Sequence, residues 1–182
     1  MNNDTYPDLV HVNGFGFPGQ NIAEEFSEDP TRVFISNGDG TFTERAQELG
    51  LEDTGQGRGI VCFDYDKDGD IDIFIANNNQ PPKLFRNDGG NSNNFINIKL
   101  NGLPPNTEGV GARIIITAGG KSQLRELRAG SNFVSQNPVY AHFGLGNAGA
   151  VEKIEIKWLD GSTSTLQNTA ANQFLVVDHP SN

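Results

Sequence analysis

The stretch that decides the fold is Asp64-Tyr65-Asp66-Lys67-Asp68-Gly69-Asp70-Ile71-Asp72, with aspartates at loop positions 1, 3, 5, 7 and 9. Glycine at position 6 permits a sharp turn that brings the carboxylates at positions 1, 3, 5 and 9 towards one centre. Oxygen ligands in this number suit Ca²⁺, which takes about 6–8 of them. Without a cation the carboxylates repel one another and raise their own pKa values. The spacing therefore predicts a calcium-binding loop, against the alternative of a solvated acidic turn.

The loop differs from an EF-hand in two respects. Position 12 is Ile75 rather than a bidentate glutamate, and the residues on both sides have the β-branched and aromatic pattern of strands. The sequence therefore predicts a calcium loop carried by a β-hairpin, with Asp70 contributing its backbone carbonyl.

An internal repeat surrounds this loop. The segment 6–13 matches 70–77 at an offset of 64 residues, and 32–40 matches 82–90 at an offset of 50, because the second connection is shorter. A repeat of about 60 residues with four short strands matches a propeller blade. About one and a half repeats cannot close a ring, so we expect partial β-propeller-type blades.

Short alternating runs between Gly, Asn and Asp clusters predict strands throughout the rest of the chain, and the fold class is all-β. The alternation across 151–158 places Ile154, Ile156 and Trp158 on one face. One short helix is predicted at 43–49. Domain 1–102 holds the propeller repeats, and domain 103–182 is predicted to be a small β-sandwich-like domain. The first carries 17 acidic and 7 basic residues and the second 6 of each, so the whole net charge of −10 belongs to the first.

The acidic loop resembles the FG-GAP/VCBS repeat family, whose blades carry a calcium loop between their first two strands. The resemblance implies a structural Ca²⁺ held by five residues: Asp64, Asp66, Asp68, the Asp70 carbonyl and Asp72. The second domain is similar to the ASPIC/UnbV domain of the cartilage acidic protein family. Four ordered motifs carry this resemblance: Gly109–Ile114, Arg128–Gln136, His142–Gly146 and Glu155–Ser162. We expect His142 to face outward from its strand.

The repeat offset maps a degraded second loop onto the first residues of the chain. Its predicted ligands, for a weaker metal site, are Asn2, Asp4, the Tyr6 carbonyl and Asp8, and position 6 is Thr5 rather than glycine. Two explanations stay open. The chain is a segment of a longer propeller, or it is a short protein that completes its blade with a strand of another chain.

Composition excludes several classes of function. A net charge of −10 excludes a nucleic-acid binder that neutralises phosphates and opposes docking on an anionic membrane. No apolar stretch reaches the roughly 18 residues of a membrane span, so we expect no membrane insertion. The three histidines lack the paired spacing of a zinc site, and no nucleophile elbow is present, so we expect no enzyme.

These observations favour a non-catalytic, calcium-stabilised adhesion or recognition module with a protein or glycan partner. The first residues have no signal-peptide pattern, so the extracellular or cell-surface location is implied by the resemblance and the calcium loop. Two alternatives stay open. One is a structural assembly unit that self-associates through N-terminal strand edges, and the other is an accessory domain of a polysaccharide-acting or biosynthetic enzyme.

Overall fold

The computed structural model describes residues 1–13 and 29–181, and within them the chain is all-β. The first six strands form two three-stranded antiparallel sheets, which we call the first and second blades. The first blade contains β1 (Leu9–His11), β2 (Arg32–Ser36) and β3 (Phe42–Glu44). The second contains β4 (Gly57–Phe63), β5 (Asp72–Asn77) and β6 (Lys83–Phe85). Most of the longer connection, between β1 and β2, lies outside the described residues.

The strand pairing corrects the repeat alignment by one residue. Leu9 lies opposite Phe34 in the first blade, and Ile73 lies opposite Phe85 in the second. If Leu9 corresponds to Ile73, then Phe34 corresponds to Phe85, an offset of 51 rather than the predicted 50. The register of a strand fixes which side chains share a face, so the pairing decides the correspondence.

The two blades pack face to face around one apolar cluster. Val10 and Val33 of the first blade meet Ile73 and Ile75 of the second. Because Ile73 corresponds to Leu9 and not to Val10, the two blades bury opposite faces of the same repeat. Leu9 is 53% exposed, whereas Ile73 is 1% exposed. Sheets that stack in this way are the packing expected of neighbouring propeller blades.

The remaining seven strands form a sandwich of two sheets, in the orders β10-β7-β13 and β12-β11-β8-β9. They are β7 (Asn94–Asn101), β8 (Arg113–Ala118), β9 (Lys121–Glu126), β10 (Ala141–Gly146), β11 (Ala150–Lys157), β12 (Thr163–Ala170) and β13 (Gln173–Asp178). Pairing is antiparallel except between β13 and β7. Ile154, Ile156 and Trp158 lie in the core between the sheets, which confirms the predicted shared face.

Strand β7 lies before residue 103 in the sequence, yet it is the central strand of the first sandwich sheet. Its side chains Ile96, Ile98 and Leu100 are fully buried in the sandwich core. On its other face Phe95 and Asn97 are buried too, at 7% and 1% exposure. A strand buried on both faces must pack against a second body, and here that body is the second blade. The boundary between 102 and 103 stays a prediction.

The helix predicted at 43–49 is wrong. Phe42–Glu44 instead form β3 along β2, and the following residues form turns. The Glu44 carboxylate accepts hydrogen bonds from the backbone N–H groups of Val33 (3.4 Å) and Ala46 (2.9 Å), which holds the chain against the sheet. Within 1–13 and 29–181, no helix has the length and apolar character needed to cross a membrane.

Candidate metal site

The acidic loop, residues 64–72, runs from the end of β4 to the first residue of β5. It turns at two residues in the left-handed region, Lys67 (φ 63°) and Gly69 (φ 100°). Asp64 Oδ2 accepts a hydrogen bond from Gly69 N at 3.1 Å and closes the loop. The ring of Phe95 packs so closely on Gly69 that a Cβ there would clash with it. Glycine at position 6 is therefore required twice, by the turn and by the contact with β7.

Three of the four predicted carboxylate ligands converge. One oxygen from each of Asp64, Asp66 and Asp72 lies within 4.8 Å of the other two. Asp64 and Asp72 are buried, and Asp66 is exposed. Asp72 is held by backbone N–H donors from Tyr65 (2.8 Å) and Asn87 (2.8 Å). Asp64 Oδ1, by contrast, is buried, and no described residue forms a hydrogen bond with it. A buried carboxylate with an unpartnered oxygen, close to two other carboxylates, is an arrangement that suits a hard divalent cation.

The carboxylates of the other two aspartates have hydrogen bonds of their own. Asp68 accepts hydrogen bonds from Asp70 N (3.1 Å) and from the Asn91 side chain (3.2 Å). The Asp70 side chain is fully buried, with Oδ2 bound to Gly90 N at 2.9 Å and Oδ1 without a partner in the described part of the chain. The predicted ligand roles of the Asp68 carboxylate and the Asp70 carbonyl stay predictions.

The loop is electrostatically unfavourable on its own. Burial raises the pKa of Asp64 and of Asp72, and neighbouring carboxylates add to both shifts. Burial, with repulsion from Asp68, raises the pKa of Asp70 to about 7. The folded loop therefore opposes its own negative charge near neutral pH, a cost that a bound divalent cation would relieve.

The predicted second site is the N-terminal loop, formed by Asn2, Asp4, the Tyr6 carbonyl and Asp8. Asp4 accepts hydrogen bonds from the Asn2 side chain (2.8 Å) and from Tyr6 N (2.8 Å). Asp8 accepts from the Met1 amino group (2.7 Å) and from Ser36 N (2.9 Å). Each carboxylate oxygen of this loop already has a partner inside the protein, unlike Asp64 Oδ1. Metal binding here stays a prediction, and the contacts support it less than at the acidic loop.

The N-terminal loop covers the outer face of β10, so the His142 side chain that we expected to face outward is instead enclosed. The ring of His142 is turned inward between Asn97 Oδ1 (2.8 Å from Nδ1) and Asn3 Oδ1 (2.7 Å from Nε2). It stacks against Phe95 at 6.2 Å between ring centres. Two residues on, Gly144 has no room for a side chain, because a Cβ would lie 2.5 Å from Asn3 Cα. Alternation along β10 explains this face, since Phe143 and Leu145 point into the sandwich core.

Both amides that meet His142 are oriented by their second contacts. Asn97 Nδ2 donates to Asp64 Oδ2 (3.4 Å), and Asn3 Nδ2 donates to the Gly69 carbonyl (2.9 Å). Only a protonated ring donates to both amide oxygens, whereas a neutral ring donates to one. Burial opposes the proton, and together with the positive charges of the chain's amino terminus and Arg125 it lowers the pKa of His142 to about 3. The neutral ring therefore donates to one of the two amide oxygens and only packs against the other, and both amides touch the acidic loop.

A second set of contacts covers the outer edge of β4 with side chains of the segment 131–140. Ser135 Oγ accepts a hydrogen bond from Ile60 N (3.0 Å) and donates one to Ile60 O (2.8 Å). Asn137 Oδ1 accepts from Cys62 N (3.0 Å). Tyr140 Oη accepts from Asp64 N (3.2 Å). These polar side chains take the place of a neighbouring strand, so the edge of β4 is satisfied. The last bond reaches the first residue of the acidic loop.

Sequence reasoning missed Asn97, Asn3 and the covering role of the segment 131–140. Asn97 carried a usable signal, because it is the one uncharged polar residue within the alternating run 95–100. Asn3 carried a weaker one, since it is an asparagine in the degraded loop, and asparagine tolerates the left-handed conformation that Asn3 adopts there (φ 54°). The segment 131–140 has no period, so its contacts were visible only in the structure.

Comparison with known proteins agrees with this architecture. A family model described as an FG-GAP-like repeat matches residues 1–75, and one described as ASPIC and UnbV matches residues 102–182. Cartilage acidic protein 1 of Mus musculus is 30% identical over 139 residues, which cover 71% of this chain and 21% of that protein. The Homo sapiens protein of the same name is 32% identical over 118 residues, covering 61% and 17%. The matched part of the chain thus spans about a fifth of these relatives, 21% and 17% of their lengths. The chain belongs to the cartilage acidic protein-like family, as an FG-GAP-like repeat segment followed by an ASPIC and UnbV domain.

Proposed function

We propose that this chain is a non-catalytic, calcium-stabilised module for extracellular adhesion or recognition. The observation that carries the proposal is the buried carboxylate of Asp64, which converges with those of Asp66 and Asp72 and whose Oδ1 has no hydrogen-bond partner among the described residues. The full ligand set we propose is Asp64, Asp66, Asp68, the Asp70 carbonyl and Asp72. In this role the ion joins the end of β4 to the start of β5 and stabilises the second blade.

The donor set favours calcium over other metals. All of the proposed ligands are oxygens, and carboxylates with a carbonyl suit Ca²⁺ rather than zinc or copper, which favour nitrogen and sulfur. Extracellular calcium modules bind with dissociation constants on the order of 10⁻⁴–10⁻³ M. Such an affinity fits a calcium-rich exterior, and the cartilage acidic protein names of the relatives are consistent with an extracellular role for this chain.

Recognition of a protein is supported by exposed apolar side chains on the sandwich domain. Phe133 is 84% exposed and the adjacent Val134 is 62% exposed, within the segment that covers β4. Contiguous exposed apolar residues commonly mark contact sites. A glycan partner remains the alternative within the same proposal.

The test is a calorimetric titration of the wild-type chain and of Asp64→Ala with Ca²⁺, paired with thermal unfolding. We expect one site in the wild type, a higher melting temperature with Ca²⁺, and loss of both in the variant. Asp39→Ala is the matched control, because Asp39 is an exposed aspartate in the 37–40 turn, outside both loops, and should leave the titration unchanged. A wild-type chain that neither binds Ca²⁺ nor gains thermal stability from it would disprove the proposal.

A second candidate, self-assembly, is supported by the open side of the first blade. Among the described residues β1 pairs with β2 on one edge, and no strand pairs with its other edge. Leu9 is exposed where its repeat counterpart Ile73 is packed. A strand or blade from a neighbouring chain would cover both features. Light scattering at rising protein concentration tests this, and a monomer at all concentrations would contradict it.

A further inference from the structure

We infer that the sandwich domain supplies the outer part of the metal site, with Asn97 and His142 positioning the acidic loop jointly with Asn3. The inference rests on the proposed calcium binding and goes beyond it, because it assigns these residues of the other domain and of the N-terminal loop to that site. It also makes calcium affinity dependent on how the two domains are docked.

A closed chain of side chains carries the inference. Asn97 Nδ2 lies 3.4 Å from Asp64 Oδ2, and Asn97 Oδ1 lies 2.8 Å from His142 Nδ1. His142 Nε2 lies 2.7 Å from Asn3 Oδ1, and Asn3 Nδ2 donates to the Gly69 carbonyl at 2.9 Å. Gly69 N in turn bonds to Asp64 Oδ2 at 3.1 Å, so the chain returns to its first residue.

The arrangement is buried where it meets the loop. Asn97 is 1% exposed and Asn3 is 4% exposed. Buried amides cannot exchange their partners for water, so their geometry is fixed by the residues they touch. The bonds to Asp64 Oδ2 restrict the rotation of this carboxylate, which converges with those of Asp66 and Asp72, and its Oδ1 has no partner among the described residues.

Such outer contacts change metal affinity without touching the metal. Residues that orient ligands typically cost about 10–100-fold in metal affinity when they are removed. Linkage requires the reverse effect as well, since a ligand that is bound more tightly by the docked state also stabilises docking. Calcium should therefore strengthen the contact between the acidic loop and β7, and through Asn3 the contact of the N-terminal loop with β10.

The experiment measures Ca²⁺ affinity by calorimetry for the wild-type chain, Asn97→Ala and the control Asn132→Ala. Asn132 donates to the Ile60 carbonyl (2.7 Å), so its loss removes a partly buried amide contact between the same two domains without touching Asp64. Asn3→Gly is the second variant, because glycine suits the φ of 54° and the change lies outside the sandwich core. Circular dichroism with chelator checks that each variant is folded.

We expect Asn97→Ala and Asn3→Gly to weaken Ca²⁺ binding by about 10–100-fold, with Asn132→Ala within about twofold of the wild type. Calcium should also slow hydrogen exchange at Gly146 N, which bonds to the Asn3 carbonyl at 2.8 Å, in the wild type but not in Asn3→Gly.

The outcomes separate the two proposals. If the wild type binds Ca²⁺ and both variants match it, the positioning role is wrong and the calcium proposal stands. The inference also fails if Asn132→Ala weakens binding as much as Asn97→Ala, because domain docking in general would then be responsible. If Asn97→Ala is unfolded, Asn3→Gly decides alone. A wild type without Ca²⁺ binding overturns both proposals.

Discussion

The acidic loop and the N-terminal loop have the same backbone and different chemistry. Positions 4 and 6 have positive φ in both, at Lys67 (63°) and Gly69 (100°) and again at Asn3 (54°) and Thr5 (83°). The aspartate at position 5 accepts a bond from the N–H of position 7 in both, at 3.1 Å in the acidic loop and 2.8 Å in the N-terminal loop. The backbone of the repeat is therefore set by short side-chain to backbone bonds that need no metal.

The loops differ in what their side chains leave unsatisfied. In the acidic loop one buried oxygen of Asp64 has no partner among the residues that the structure describes, whereas every carboxylate oxygen of Asp4 and Asp8 accepts a hydrogen bond within the protein. Asn3, which stands where the acidic loop has Lys67, bonds to His142 and to the Gly69 carbonyl. Under the proposals above, the acidic loop binds the metal, and the N-terminal loop, through Asn3, positions the acidic loop.

The largest expected effect comes from position 9 of each loop. Asp72→Asn should weaken Ca²⁺ binding by at least about a hundredfold, since losing a ligand costs no less than losing an outer contact. Asp8→Asn, its matched control, should leave the affinity within about twofold if the acidic loop holds the metal. Calorimetry at neutral pH measures both. Equal losses in the two variants would mean that the loops share the binding and that the contrast between them is wrong.

Position 6 should give the next largest effect, on stability. Gly69→Ala should lower the free energy of unfolding by roughly 2–4 kcal/mol, because left-handed strain adds to the clash with the Phe95 ring. Gly40→Ala is the control, since Gly40 has φ 91° with open space around it and should cost only about 1 kcal/mol of strain. Urea unfolding with chelator measures both, and equal costs would show that Phe95 does not confine the loop.

A smaller effect, on the pH dependence of stability, is expected at position 7, where the acidic loop has the buried Asp70 and the N-terminal loop has Tyr6. The pKa of Asp70 is raised to about 7, above its unfolded value, so its stabilising contribution is complete below about pH 4 and is lost as the pH rises through 7. Asp70→Asn should therefore raise the metal-free melting temperature at pH 8 and leave it nearly unchanged at pH 4. Its amide still accepts from Gly90 N. A variant no more stable than the wild type at pH 8 would contradict the proposed cost of burying this charge.

The sequence predicted the repeat, the acidic loop and most strands, because these depend on local spacing and alternation. It mispredicted residues 43–49, where pairing of β3 with β2 overrode a helical composition. It also placed His142 outward, because alternation tells which residues share a face and not whether a second body covers that face. Contacts such as Asn97 with Asp64 join residues 33 positions apart, and no local pattern encodes them.

The smallest expected effect is a gain of stability in the N-terminal loop. Thr5 is β-branched and has φ 83°, a conformation that its counterpart Gly69 adopts without strain. Thr5→Gly should raise the free energy of unfolding by up to about 1 kcal/mol, because relief of strain exceeds the added chain entropy of glycine. The hydroxyl accepts one exposed bond from Lys121 (3.1 Å), so Thr5→Ser, which keeps this bond, separates its loss from the backbone effect. If Thr5→Gly is less stable than Thr5→Ser, the contact with Lys121 matters more than the strain, and the N-terminal loop is stabilised by the sandwich domain rather than by its own backbone.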